Sequence, residues 1–222
     1  MWIVKIMTNG KELFMDYGEF ILHYHFDRKT LFRAHRIALD LINRNNPKYL
    51  VLDDLNHAHE KAIEDYLKAR KEDYSEWTLE RILDFTLKEL RINGKVPRED
   101  IILAYKLNDH DVRPTEGAKE ALTQLSKERN LHIISNLPHD SLVYELDHHK
   151  LRGFFKTITI SCEVGYRKPH PLIYKEAMQR ARTTPQESIF ASHEEYEVEG
   201  ARNVGMYGIL AKNVAGVLNQ LP

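Results

Sequence analysis

Residues 13–22 read LFMDYGEFIL: an apolar run ends on an aspartate, and a glycine follows two positions later. A carboxylate at the end of a strand can attack an electrophilic phosphorus or carbon and form a covalent intermediate. It needs a cation beside it, to keep it ionised and to offset charge building on the acceptor's oxygens. It also needs a hydroxyl and backbone N–H groups that position those oxygens. The chain offers each of these where the strands of a parallel sheet would end. They are Asp16 in LFMDYGEFI, Ser135 and Asn136 in HIISN, Lys168 in GYRKPHPLIY, and the acidic stretch ASHEEYEVEGA from Ala191 to Ala201.

The elements that must carry these residues follow from the hydrophobic pattern. From about residue 112 onward, strand-like and helix-like segments alternate: GAKEALTQLSKE, LHIISN, SLVYELDHHKL, TITISCEVG, HPLIYKEAMQRA, SIFAS, EVEGARNVG and YGILA. TITISCEVG reads as one strand, and HPLIYKEAMQRA as a helix with proline in its first turn. Such alternation with short connections implies an α/β fold with a parallel sheet covered on both faces. Ligands of such sheets bind at the carboxyl ends of the strands. Residues 29–108 differ. TLFRAHRIALDLI, HEKAIEDYLKA and TLERILDFTLKELRI carry apolar residues at three- and four-residue intervals, which predicts an all-helical insertion over that edge. At the N-terminus, WIVKIM and ELFMDYG both qualify as the first core strand, separated by the turn signal TNGK.

Composition narrows the partners. Among 222 residues, 32 Lys and Arg balance 33 Asp and Glu, so no basic surplus points to nucleic acid or to an anionic membrane. No apolar run approaches the ~20 residues of a membrane span, and the N-terminus lacks a signal-peptide layout. A single cysteine, Cys162, forms no internal disulfide, so a reducing cytoplasm is expected. At the end of a β-branched run, Cys162 reads as a packing residue rather than a nucleophile.

Taken in order, Asp16, Ser135–Asn136, G-x-R-K-P (Gly165–Pro169) and E-G-A-x-x-x-G-M resemble the motifs of the haloacid dehalogenase-like hydrolases. The resemblance covers the alternating half of the chain most fully. It implies a Rossmann-like core formed by residues 1–28 and 109–222, with a helical cap at 29–108. It further implies a phosphatase that hydrolyses a small anionic phosphate monoester through an aspartyl-phosphate. In that reading Asp16 attacks, Ser135 and Asn136 position the phosphoryl group, and Lys168 neutralises charge. Tyr17, Gly18 and Ser192 would touch the substrate. Magnesium would bind weakly through Asp16, the Gly18 carbonyl and an acid of the fourth motif, Glu194 or Glu197. One sequence leaves the oligomeric state open.

The chain departs from the family pattern in two places. Asp16-Tyr17-Gly18 lacks the second aspartate that serves as general acid, an arrangement that resembles an Asp-x-Gly subgroup of sugar-phosphate phosphatases. Ser192 stands where a metal-binding acid is usual, and serine is a poor magnesium ligand. This stretch resembles the metal-independent 2-haloacid dehalogenases instead, in which the aspartate attacks carbon. A third reading makes WIVKIM the first core strand, so that Thr8 occupies the nucleophile position and the fold is a silent binding module.

Ordinary readings stand beside these. Ser135 suits the N-cap of a helix starting near Pro138. Glu194, Glu195 and Glu197 suit a solvated first helical turn. His23 and His25 (HYH) and His57 and His59 (HAH) share faces at two-residue spacing, yet nothing completes a zinc site, so satisfied histidines are expected. Arg28, Arg33 and Arg36 could reach an anionic substrate from the cap, though they also suit the outer face of a helix.

Overall fold

The computed structural model describes residues 11–44, 46, 49–92 and 95–221. In chain order its elements are β1 (Glu12–Met15), β2 (Leu22–His25), α1 (Arg28–Asn43), α2 (Leu52–Asp73), α3 (Leu79–Glu89), α4 (Arg98–Asn108), β3 (Asp111–Pro114) and α5 (Ala118–Leu125). There follow β4 (Asn130–Ser135), α6 (Ser141–His148), β5 (Phe155–Ile160), α7 (Ser161–Val164), α8 (Pro171–Ala181), β6 (Ser188–Ser192), α9 (Glu195–Asn203) and β7 (Tyr207–Leu210).

Five strands form one sheet in the order β5-β4-β1-β6-β7, every pairing parallel. The ELFM strand is therefore central, flanked by β4 and β6. WIVKIM, with Thr8, lies outside the described residues. Successive side chains of β1 enter opposite cores, as the two-residue period of a strand demands. Leu13 and Met15 join Ala121, Leu122 and Val214, whereas Phe14 joins Ile173, Tyr174 and Met178. Both faces are thus covered, which is why the strands read as near-continuous apolar runs.

Register sets the site. Met15 lies opposite Ile133 on one side and Ala191 on the other. Asp16 follows immediately and donates its backbone N–H to the Ala191 carbonyl at 2.9 Å. The next residues of the three strands therefore emerge together at one carboxyl edge.

The four helices α1–α4 share an apolar core that includes Ala34, Ala38, Ile42, Leu55, Leu83 and Ile101. The helix α1 starts on a capping box, in which the Asp27 carboxylate accepts from the N–H groups of Lys29 and Thr30. The chain entering and leaving this block pairs with itself, β2 antiparallel to β3. At the other end of the block, backbone bonds stitch it to the sheet's carboxyl edge. Arg167 N–H donates to Tyr74 O and Glu76 N–H to Gly165 O, each at 2.9 Å, and Leu79 N–H donates to Pro138 O at 2.8 Å.

Several local expectations change. The strand read through TITISCEVG stops at Ile160, because Ser161–Val164 turns helical and closes on Gly165 at positive φ. Ser135 caps no helix, since α6 begins only at Ser141. The HAH pair lies on helix α2 rather than on a strand, with His59 buried against Tyr105.

Candidate active site

Three strand ends and one loop converge. Asp16 follows β1, Ser135 ends β4 and is followed by Asn136, His193 follows β6, and the segment after α7 delivers Arg167 and Lys168. Lys168 is fully buried, with its ammonium paired to Asp16 Oδ1 and lying 2.9 Å from Glu197 Oε2. It also donates to the Ile134 carbonyl at 2.8 Å. All three donor directions of an ammonium are thereby used.

Asn136 holds this lysine segment in place. Its Oδ1 accepts from Lys168 N–H at 2.7 Å, and its Nδ2 donates to Glu197 Oε1 at 3.1 Å. Close packing completes the placement. A Cβ on Gly200 would sit 2.6 Å from Pro169 Cβ and 2.9 Å from Tyr174 Oη. Only glycine lets α9 approach Pro169 so closely, and that approach sets Glu197 beside Lys168.

One buried cation faces two carboxylates, and their titrations diverge. Burial raises the Asp16 carboxyl, but the Lys168 charge and contacts with His193 and Lys168 outweigh it and hold Asp16 below the usual carboxylate range. Glu197 is pushed up, by burial first and by the neighbouring Asp16 charge, despite the Lys168 ammonium. Lys168 is raised because Asp16 and Glu197 outweigh its burial. His193 Nδ1 stands 3.3 Å from Asp16 Oδ2, an ion-pair contact without the alignment of a hydrogen bond. This contact with Asp16 raises the imidazole above its ordinary value.

Asp16, Gly18, Ser135, Asn136, Glu194 and Glu197 line one cavity of about 250 Å³, together with Arg167, His193 and Tyr196. Lys168 sits behind it, reached through Asp16. Two expected substrate contacts face elsewhere. Tyr17 is wholly buried, its hydroxyl donating to Glu145 Oε2 at 2.6 Å. Ser192 is wholly buried and donates to Glu197 Oε2 at 2.8 Å. Glu197 is not a solvated first-turn acid but 3 % exposed. Glu195 does stay at the surface, paired with Arg202.

Arg33 pairs with Asp111, and Arg28 stacks on Phe32; neither lines this cavity, nor does Arg36. His23 and His25 are satisfied at the surface by Glu19 and Asp27. The Cys162 thiol is pushed up to about 12, mainly by burial, which suits a packing role. His193 and Arg167 were not singled out from sequence, although each adjoins a residue that was. The position one past a strand end was the available signal for His193.

The acids expected to bind magnesium do not fit it in this arrangement. Asp16 Oδ1 faces the Lys168 ammonium and Oδ2 faces His193, so each oxygen already faces a side-chain nitrogen. Both oxygens of Glu197 accept from Asn136, Ser192 or Lys168. Glu194 is half-exposed, with its Oε1 3.4 Å from His193 Nε2. No three His, Cys, Asp or Glu side chains among the described residues form a group able to hold a metal ion.

Residues 46–211 match the family described as haloacid dehalogenase-like hydrolase. Over 127 residues the chain is 30% identical to a glyceraldehyde 3-phosphate phosphatase of Pyrococcus furiosus, a match covering 55% of this chain and 53% of that protein. The chain thus spans about half the length of that relative. Over 181 residues it is 26% identical to a glyceraldehyde 3-phosphate phosphatase of Pyrococcus abyssi, covering 80% of this chain and 75% of that one. Two solved structures share the fold. One is a HAD phosphatase from Thermococcus onnurineus (TM-score 0.58, 19% identity, 90% of this chain and 86% of that one). The other is a 2-haloacid dehalogenase from Pseudomonas syringae (TM-score 0.59, 15% identity, the same coverage).

Proposed function

Because the chain belongs to the haloacid dehalogenase-like hydrolases, we propose that it is a phosphatase of small phosphate monoesters that works through an aspartyl-phosphate. The observation that carries this reading is Asp16, ionised beside a fully buried Lys168 at the floor of a polar cavity. The relatives named as phosphatases support it. Asp16 attacks phosphorus, and the bond from phosphorus to the alcohol oxygen breaks. The His193 ring, facing the same cavity, hands that oxygen the proton that a second aspartate would otherwise supply. Water, giving a proton back to His193, then attacks the phosphorus of the aspartyl-phosphate; the bond from phosphorus to Asp16 breaks, releasing inorganic phosphate and restoring the carboxylate. Ser135 and Asn136 orient the phosphoryl oxygens, and the Lys168 charge, its three N–H groups already engaged, offsets theirs through its field rather than by a hydrogen bond.

Residues 29–108 serve as the cap over a core of 1–28 and 109–222, and the substrate is a small anion. Among the described residues no helix is long and apolar enough to cross a membrane. The single thiol, half-buried and raised to about 12, accords with work in a reducing cytoplasm.

The test is release of phosphate from an aryl phosphate, with magnesium and with a chelator, set beside Asp16→Asn. Turnover that vanishes in Asp16→Asn supports the reading. One observation favours a second reading, that of a metal-independent dehalogenase. Ser192 fills an acid's place and turns to Glu197, while His193 covers the second oxygen of Asp16. An attack on carbon needs no cation bridging nucleophile and phosphate. Halide release from 2-haloacids, with no turnover of the aryl phosphate, would move the assignment there.

A further inference from the structure

The cavity over Asp16 has a neighbour with which it shares two walls. Arg167 and Tyr196 also line a second cavity of about 470 Å³, whose remaining walls are Leu67, Arg70, Lys71, Tyr74 and Lys168. Among the described residues no carboxylate lines this second space, although Asp and Glu outnumber Lys and Arg in the chain. Lys168 is neutralised from behind by Asp16 and Glu197. With Arg167 balanced by Glu76, Arg70 and Lys71 supply an excess of positive charge facing the opening. Arg70 and Lys71 suit the last turn of α2 through the helix dipole, and that alone would explain their presence. It does not explain Arg167, which comes from a different segment and converges on the same space.

The geometry is fixed rather than incidental. Arg167 Nη1 donates to Tyr66 Oη at 2.8 Å and lies 3.3 Å from Glu76 Oε2. Glu76 is in turn anchored by Ser161 Oγ at 2.6 Å, so the guanidinium has a buried counter-charge on one edge and open space on the other. The backbone bonds from Arg167 to Tyr74 and from Glu76 to Gly165 tie the end of α2 to the segment carrying Lys168. The distance from Asp16 to Arg70 and Lys71 is thereby set by paired backbone, which spares a ligand the cost of ordering the site.

We propose that Arg70, Lys71 and Arg167 form a second anion subsite, and that the substrate is a phosphate monoester bearing a second anionic group, phosphate or carboxylate. The statement about the substrate rests on the phosphatase reading; the existence of the subsite does not. One group sits over Asp16, and the other reaches past Arg167 to the end of α2, with Tyr74 and Tyr196 flanking the linker. Arg167 is the hinge of the arrangement, since it borders both spaces.

Direct binding tests this without any turnover. Propane-1,3- and hexane-1,6-bisphosphonate are titrated calorimetrically into the full chain, beside propyl- and hexylphosphonate. Charge-assisted contacts to two or three cations predict that at least one bisphosphonate binds about ten-fold more tightly than its monophosphonate partner. The ratio should fall to near one in Arg70→Gln/Lys71→Gln, in which Lys71 is exposed and Arg70 half-buried over the Tyr66 ring, and whose folding is checked by an unchanged melting temperature. Carboxyalkylphosphonates of the same lengths tell a carboxylate from a phosphate as the preferred second group. A ratio near one in the unaltered protein overturns the proposal, and so does a ratio that survives the double substitution. Aryl phosphate turnover is scored separately. Its absence with the ratio intact discards the phosphatase and keeps the subsite, whereas turnover without the ratio does the reverse.

Discussion

His110 Nε2 lies 2.9 Å from Glu145 Oε1, with both side chains buried and neither on the strand that carries Asp16. The other oxygen of Glu145 accepts from the hydroxyls of Tyr17 and Tyr24, at 2.6 and 2.7 Å. This ion pair thus ties the residue after Asp16 to β2 and to the turn leaving α4. Burial lowers the imidazole, but Asp109 and Glu145 outweigh it and raise His110 to about 9. Burial raises Glu145, but His110 and the hydroxyl donors bring it down to about 2.

The pH dependence of stability follows from these two directions. A raised histidine contributes fully below its unfolded value of about 6.5 and loses that contribution as pH climbs toward 9. A depressed glutamate contributes fully above about 4.5 and loses it as pH falls toward 2. The pair is therefore strongest between about pH 4.5 and 6.5. Melting curves of the unaltered protein and His110→Gln should differ most in that window, by about 2 kcal/mol, the worth of a hydrogen bond to a charged group. The gap should narrow on either side. A gap that stays constant from pH 4 to 9 would assign the loss to packing instead.

Lys168→Met leaves Asp16 and Glu197 facing each other in a buried space with no cation. Removing one partner of a buried ion pair costs about 3–5 kcal/mol, so this variant should unfold at markedly lower urea concentration. Its aryl phosphate turnover should fall by at least about 10²-fold. Lys168→Arg should rescue little, because a planar guanidinium cannot occupy the point where three short contacts meet. Urea midpoints and kcat for the two variants check both expectations.

The half of the chain that could be read from sequence was the half where local signals agree. SIFAS, YGILA and LHIIS are aliphatic and β-branched runs bounded by polar residues, and they form β6, β7 and β4 as expected. The pairing of Asp16 with Lys168 was expected from the resemblance of G-x-R-K-P to the family's third motif, even though the strand before it stops at Ile160. Glu197 could not be placed so. A glutamate in a first turn has water as its usual partner, and its burial is decided by Lys168 and Asn136, distant in sequence. Two-residue spacing misled at HAH, because i and i+2 share a face only on a strand; on the helix α2 they point to nearly opposite sides, so His59 is buried while His57 is exposed. Nothing in the sequence singles out Arg70 and Lys71; only the fold places Arg167, distant in sequence, on the same cavity.

Gly200→Ala tests how the fourth motif positions the third. An alanine is the better helix former, by roughly 1 kcal/mol, so propensity alone predicts stabilisation. The new methyl would meet Pro169 Cβ at 2.6 Å and its carbonyl oxygen at 2.9 Å, neither of them the free end of a flexible side chain. Overpacking of that kind costs about 1–3 kcal/mol, and the strain falls on the residue beside Lys168. The variant should melt lower and lose kcat more than it raises KM. A higher melting temperature with unchanged kcat would show that α9 can retreat without moving Lys168.

Ser192 decides whether a divalent cation belongs here. Its hydroxyl donates to Glu197 and accepts from the Glu194 N–H at 3.1 Å, so it is fully engaged in shaping the turn into α9. Magnesium favours carboxylate oxygens in octahedral order, and every oxygen of Asp16 and Glu197 already faces a protein donor or cation. Phosphate release is therefore expected to proceed at the same rate in chelator as in magnesium. Ser192→Ala should cost about 1 kcal/mol, the net worth of one buried hydrogen bond, and should leave that indifference to chelator intact. Ser192→Asp places a third carboxylate beside Glu197 and should make the protein bind magnesium measurably by calorimetry, with a rise in melting temperature on adding the ion. Chelator inactivation of the unaltered protein would show instead that His193 swings away from Asp16 when the site is loaded.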